Sequence, residues 1–157
     1  LILQQQGMTE AEREAFLIRF EETPPEGLIG FCVMGGIFSE GIDLKAERLI
    51  GAIVVAPGLP QVCRERELLK NFYDARGEDG FFYAYLCPGM NKVLQSAGRV
   101  IRTEADEGVI LLLDERFAAA RYRNMFPAEW QAPQTCTLQT VQGCLAKFWS
   151  ERQTERI

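Results

Sequence analysis

The run Gly108-Val-Ile-Leu-Leu-Leu113, closed by Asp114, limits the fold more than any other part of this chain. It has strand length and no polar alternation, so it reads as a strand covered on both faces, as in a parallel sheet. Two further runs have the same character, GLIGFCVMGG at 27–36 and RLIGAIVVAPG at 48–58. Leu1 to Leu3 reads as the remnant of an earlier strand. Between the strands lie helical patterns. Thr9 and Glu12 form a capping box that opens a helix, Phe16, Leu17 and Phe20 give it an apolar face, and Pro24 and Pro25 end it. Gln61 to about Arg76 is charged and helical, and Gly77 to Gly80 interrupts it. Pro88 restarts a helix that is expected to run through Arg102. FAAARYRNMF at 117–126 reads as a helix, Pro127 to Pro133 as a loop, and Leu138 to about Arg152 as a terminal helix. Strands alternating with helices define an α/β fold, a mainly parallel sheet flanked by helices.

At 157 residues one domain, 1–157, is expected. No apolar run approaches the ~20 residues of a membrane span, and the N-terminus has neither the basic start nor the cleavage site of a signal peptide. The chain begins without Met, inside strand-like sequence, and is read as an N-terminally truncated fragment. Its net charge of -5 argues against nucleic-acid binding by bulk electrostatics but leaves room for a local basic site. The five cysteines have no CxxC spacing and there is no histidine, so no metal site and no Cys–His nucleophile is expected. Apolar neighbours such as FCVM and YLCP suggest buried, reduced thiols and a cytoplasmic protein.

Function is concentrated in QSAGRVIR. Gln95, Gly98, Arg99 and Arg102 are spaced i, i+3, i+4, i+7, and on one helix they share a face. Guanidinium groups make forked, charge-assisted hydrogen bonds to phosphate. A solvated surface is the rival reading, but a helix-interior glycine costs ~1 kcal/mol relative to alanine, which suggests a close approach to the backbone at Gly98. The second motif is GGIFSEGID, Gly35 to Asp43, which follows a strand where α/β sheets bind ligands. Its glycines let backbone N–H groups approach an anion, Ser39 offers a hydroxyl, and Glu40 and Asp43 offer carboxylates.

Two other features take structural readings. VILLLDE at 109–115 resembles a nucleotide-site strand whose acid binds Mg²⁺, yet the chain contains no GxxxxGK[ST] to hold phosphates. Asp114 is therefore expected to organise the strand end by pairing with Arg116 or Arg99. The aromatic run FFYAY at 81–85 contains no Arg or Lys and is assigned to packing rather than base stacking. Trp130, Phe148 and Trp149 are likewise read as packing residues.

MGGIFSEGIDL resembles motif V, and QSAGRVIRTEADEGVILLLDERF resembles motif VI with its following strand, of the XPD/DinG-like branch of superfamily 2 helicases. The resemblance extends from about Gly7 to about Phe126. It implies the second, C-terminal RecA-like motor domain of an ATP-dependent DNA helicase, a P-loop NTPase fold here lacking its phosphate loop. ATP with Mg²⁺ would be held mainly by the absent first RecA-like domain. Arg102, as arginine finger, and Arg99 match the motif VI arginines, and Gln95 matches the motif VI glutamine near the γ-phosphate. Gly41 and Asp43 match positions near the ribose and domain interface. Gly36 and Ser39 match those facing the nucleic-acid backbone, and Gly98 completes the nucleotide-side set. The implied partners are single-stranded DNA and the N-terminal RecA-like domain of the same chain. The opening strand and helix of the domain, with motif IV, and any iron–sulfur ligands are absent from these residues. A different class of function stays open at this level: a non-catalytic α/β module binding an anion or a partner protein through the Arg99/Arg102 face.

Overall fold

A computed structural model describes residues 1–21, 27–38, 49–101, 106–130 and 133–155. The chain forms two compact units, Leu1–Met125 and Phe126–Ile157.

The first unit begins with a β–α–β element. Strand β1 (Ile2–Leu3) pairs in parallel with β2 (Gly30–Phe31), Ile2 opposite Gly30 and Leu3 opposite Phe31. Helix α1 (Glu10–Glu21) crosses between them. Its start is the capping box read from the sequence: the Thr9 N–H donates to Glu12 Oε2 at 2.7 Å, and the Glu12 N–H donates to Thr9 Oγ1 at 3.4 Å. Phe16 is buried and stacks on Phe38 at 4.3 Å between ring centroids. At Gly30, where α1 passes over β2, a Cβ would lie 2.6 Å from the tip of the Phe20 ring and displace it.

The second parallel pair is β3 (Gly51–Val55) with β4 (Val109–Leu113), in register from Gly51–Val109 to Val55–Leu113. Between them come α2 (Arg64–Asp74), a π-helical turn at Phe82–Leu86, and α3 (Cys87–Ala97). Met90, Val93 and Ala97 are fully buried on one face of α3, and the helix packs against β3. Two α2 side chains hold the π-helical turn. Arg66 Nη1 donates to the Ala84 carbonyl at 2.8 Å, and the Tyr85 hydroxyl donates to the Glu67 carboxylate. That carboxylate and burial together push the Tyr85 pKa up to about 12.

Three expectations need correction. The apolar runs are not covered on both faces: Phe31, Ile53 and Val55 are each more than half exposed. The run 27–36 gives only the two-residue β2, which pairs with the two residues of β1, and beyond it Gly35 adopts a left-handed φ of 75° and turns the chain. The stretch 117–126 is not one helix. It divides into a 3₁₀ turn at Glu115–Ala118 and a short α4 (Ala120–Arg123), separated by extended Ala119.

The second unit contains a 3₁₀ turn at Ala128–Trp130, where Phe126 meets the Trp130 ring edge-on at 5.6 Å, and helix α5 (Val141–Glu155). Among the described residues no helix is long and apolar enough to cross a membrane.

Candidate nucleotide and nucleic-acid interface

Helix α3 sorts its side chains by face. Met90, Val93 and Ala97 enter the core, while Gln95 is exposed. The helix does not reach Arg102, however. It ends at Ala97 with Gly98 as its C-cap, whose N–H donates to Leu94 O, and Val100 N–H then donates to Ala97 O in a tighter turn. Gly98 is therefore not a helix-interior glycine and does not carry the helix-interior cost expected of it. A Cβ there would meet the Leu94 carbonyl of its own helix at 3.1 Å. Gln95, exposed Gly98 and half-buried Arg99 occupy the end of α3 and the turn after it. Arg102 lies outside the described residues.

The second motif starts at the C-terminal end of β2. The Val33 N–H donates to Gln4 Oε1 at 2.8 Å, tying the ends of β1 and β2 together. Gly36 N–H closes the turn onto Val33 O at 2.9 Å. A cleft of about 640 Å³ opens beside it, lined by Glu10, Arg13, Leu17, Gly35, Gly36, Ile37 and Phe38. Arg13 brings a cation to this cleft, pairing with Glu10 at 3.6 Å. Among the described residues its buried Nε has no hydrogen-bond partner. Ser39, Gly41 and Asp43 lie outside the described residues.

Packing brings the glycine turn and α3 together. A Cβ at Gly35 would come within 3.1 Å of Lys92 Cε and 3.4 Å of its Nζ. Lys92 sits on α3 one turn before Gln95, so the two motifs share this lysine as a neighbour. Behind it, Gly58 on the loop after β3 adopts a φ of 57°, close to Met34 and the Gly89 carbonyl. Gly89 lets α3 approach that loop, since a Cβ there would lie 2.7 Å from Pro57 O. Lys92 and Arg13 were missed in reading the sequence. Lys92 was legible as the i−3 neighbour of Gln95; Arg13 carried no local signal.

Asp114, at the end of β4, pairs with Arg116 as expected. It accepts from the Arg116 N–H at 2.9 Å, Nε at 2.8 Å and Nη2 at 2.7 Å. These bonds hold its carboxyl at a pKa of about 2. The aromatic run packs as it was read, with Ala84 and Tyr85 buried, and Arg121 lies over the Phe81 ring at 5.1 Å. The cysteines depart from their reading: all five are free, but Cys32 and Cys63 are exposed and the others are half-buried.

Residues 1–133 match the Helicase C-terminal domain family. The chain belongs to that family. This helicase C-terminal domain is similar to a probable ATP-dependent helicase of Methanocaldococcus jannaschii, 32% identical over 123 residues, which cover 73% of this chain and 18% of the relative. It is similar to regulator of telomere elongation helicase 1 of Bos taurus, 35% identical over 129 residues, 76% of this chain and 10% of the relative. It also resembles the ATP-dependent DNA helicase DinG of Photobacterium profundum, 30% identical over 115 residues, 72% of this chain and 16% of the relative. The chain thus spans at most 18% of the length of these three relatives.

Proposed function

We propose that the chain is the C-terminal motor half of an ATP-dependent DNA helicase, completing an ATP site whose phosphate loop lies in another domain of the same protein. The observation that carries this reading is the end of α3. An apolar face fixes the helix on β3 while Gln95 and Arg99 emerge at its terminus, in a chain that has no GxxxxGK[ST] of its own. Phosphoryl transfer spreads negative charge over the departing γ-phosphate, and an arginine brought from a neighbouring domain stabilises that charge. Arg102 takes this role, Arg99 assists it, and Gln95 faces the γ-phosphate. Gly41 and Asp43 lie on the nucleotide side. Gly36 and Ser39 face single-stranded DNA. Among the described residues no group of three or more acidic, Cys or His side chains could hold a metal, and Asp114 is occupied by Arg116; Mg²⁺ arrives with the nucleotide.

ATP closes the two motor domains on each other and hydrolysis releases them. Alternate grips on the strand turn that cycle into translocation. The Gly35–Gly36 turn, packed on Lys92 of α3, is the natural link between the two events.

The deciding experiment is Arg102→Ala in the full-length protein. Turnover should fall by ~10³–10⁵ while ATP affinity stays within a few-fold of wild type. Hydrolysis near the wild-type rate would remove Arg102 from the finger role. Ser39→Ala should weaken DNA stimulation of the ATPase more than nucleotide affinity. A normal DNA-stimulated rate in that variant would count against the coupling role.

A further inference from the structure

Beyond residue 133, outside the stretch that matches the family, two cysteines are brought against a single residue. Gln134 Nε2 donates to Cys144 Sγ at 3.3 Å, and the Gln134 carbonyl accepts from Cys136 Sγ at 3.9 Å. The arrangement follows from how α5 starts. Thr137 O accepts from the Thr140 N–H at 3.1 Å and the Val141 N–H at 2.9 Å, while Thr140 Oγ1 accepts from the Thr137 N–H at 2.9 Å. This turn doubles the chain back, so that Cys136 lies beside the first turn of α5. There the Cys144 N–H donates to Thr140 O at 3.1 Å. The neighbouring Cys144 side chain, ahead of burial, raises the Cys136 pKa. Both residues are half-buried, within reach of a small solute.

We propose that Cys136 and Cys144 form a thiol–disulfide exchange site, which a small disulfide such as glutathione disulfide converts reversibly into an intramolecular bridge. The thiolate of one cysteine attacks a sulfur of glutathione disulfide, breaking that S–S bond and expelling one glutathione thiolate. The second cysteine attacks the resulting mixed disulfide and expels the other glutathione. One disulfide is lost and one forms. The two protein thiols are oxidised by two electrons, glutathione disulfide is reduced, and the two protons end on the two glutathione thiols. The bridge closes over the Thr137–Thr140 turn and fixes it to α5. Cys32 and Cys63 are exposed to the same reagent, but neither shares a hydrogen-bonded residue with another cysteine among the described residues, so each stops at a mixed disulfide.

The test equilibrates the reduced 157-residue chain with glutathione disulfide, quenches by alkylation and maps the peptides by mass. The expected product has lost about 2 Da at the Cys136–Cys144 peptide pair and carries no glutathione there. The bridge closes Cys136 and Cys144 to alkylation without adding mass, bound glutathione closes Cys32 and Cys63, and dithiothreitol restores all four. Cys136→Ser should trap glutathione on Cys144, and Cys144→Ser should trap it on Cys136. Stable glutathione adducts on both residues of the unmutated chain, or a bridge from either one to a third cysteine, would overturn the proposal. Equal bridging in concentrated guanidinium chloride would overturn it too, because nearness in sequence rather than the folded turn would then make the pair.

Discussion

At the scale of single residues, charge and backbone bonding meet most closely at Asp114. The residue caps the 3₁₀ turn after β4 and binds Arg116 through both its backbone N–H and its guanidinium. Its carboxyl is held at a pKa of about 2, below its ordinary 3.8. A carboxyl acidified by folding contributes stability in full above the unfolded value and loses it as pH falls through the folded value. The stability curve of the chain should therefore fall between about pH 4 and pH 2 through this group. Asp114→Asn should lower stability at pH 7 by on the order of 1 kcal/mol and flatten that part of the curve. Urea unfolding at a series of pH values checks both, and an unchanged acid limb in the variant would show that the pair contributes nothing. Chemistry of this kind was legible in the sequence because Asp114 and Arg116 are two residues apart. The cleft at Arg13 was not, because Glu10 to Leu17 and Gly35 to Phe38 meet there only through folding.

At the scale of elements, α1 and α3 are stabilised by different means, and they should respond differently to mutation. The start of α1 is local, a reciprocal cap between Thr9 and Glu12 on the surface. Removing it with Thr9→Ala should cost about 1 kcal/mol. Met90 of α3 is fully buried against β3, and Met90→Ala should cost about 2–5 kcal/mol through lost burial and the cavity left behind. Chemical denaturation of the two variants compares them, and equal losses would mean that α3 is not the anchored element. The same contrast explains what could be read beforehand. A capping box, a proline pair or a run such as VILLL declares itself within a few residues, so α1, β3 and β4 were legible with their order and parallel pairing. The end of α3 was not. Gly98 fits the spacing of a helix face as well as it fits a cap, and what decides between them is whether the next N–H groups bond back three residues or four. Here Val100 N–H returns to Ala97 O, three residues back. For Gln95, Gly98 and Arg99 the one-face reading therefore gives way to a helix end followed by a turn. The burial expected of both faces of β2 and β3 failed for a different reason: an apolar run states only that a strand can be covered, and what covers it must come from other residues.

At the scale of the molecule, charge and length set the terms. With 22 acidic against 17 basic residues the chain repels a polyanion in bulk, so any grip on a DNA strand must come from a few placed groups. Gly36, Arg13 and Lys92 stand where the glycine turn meets α1 and α3, and a grip of that size is weak alone and suited to being switched. The same reasoning applies to ATP. In the proposed site Arg99 and Gln95 neutralise and orient a γ-phosphate, but the sequence contains no GxxxxGK[ST] to cradle the β- and γ-phosphates. Charge stabilisation without positioning gives little rate, because most of the effect of an arginine finger is realised only on a nucleotide already held in line. The purified 157-residue chain, given ATP, Mg²⁺ and single-stranded DNA, should release phosphate at the rate of a protein-free blank. Arg102→Ala should leave that rate unchanged, although the same substitution is severe in the full-length protein. Turnover above the blank in the chain alone that also survives Arg102→Ala would place a complete nucleotide site inside these residues, and the shared-site reading would have to be abandoned.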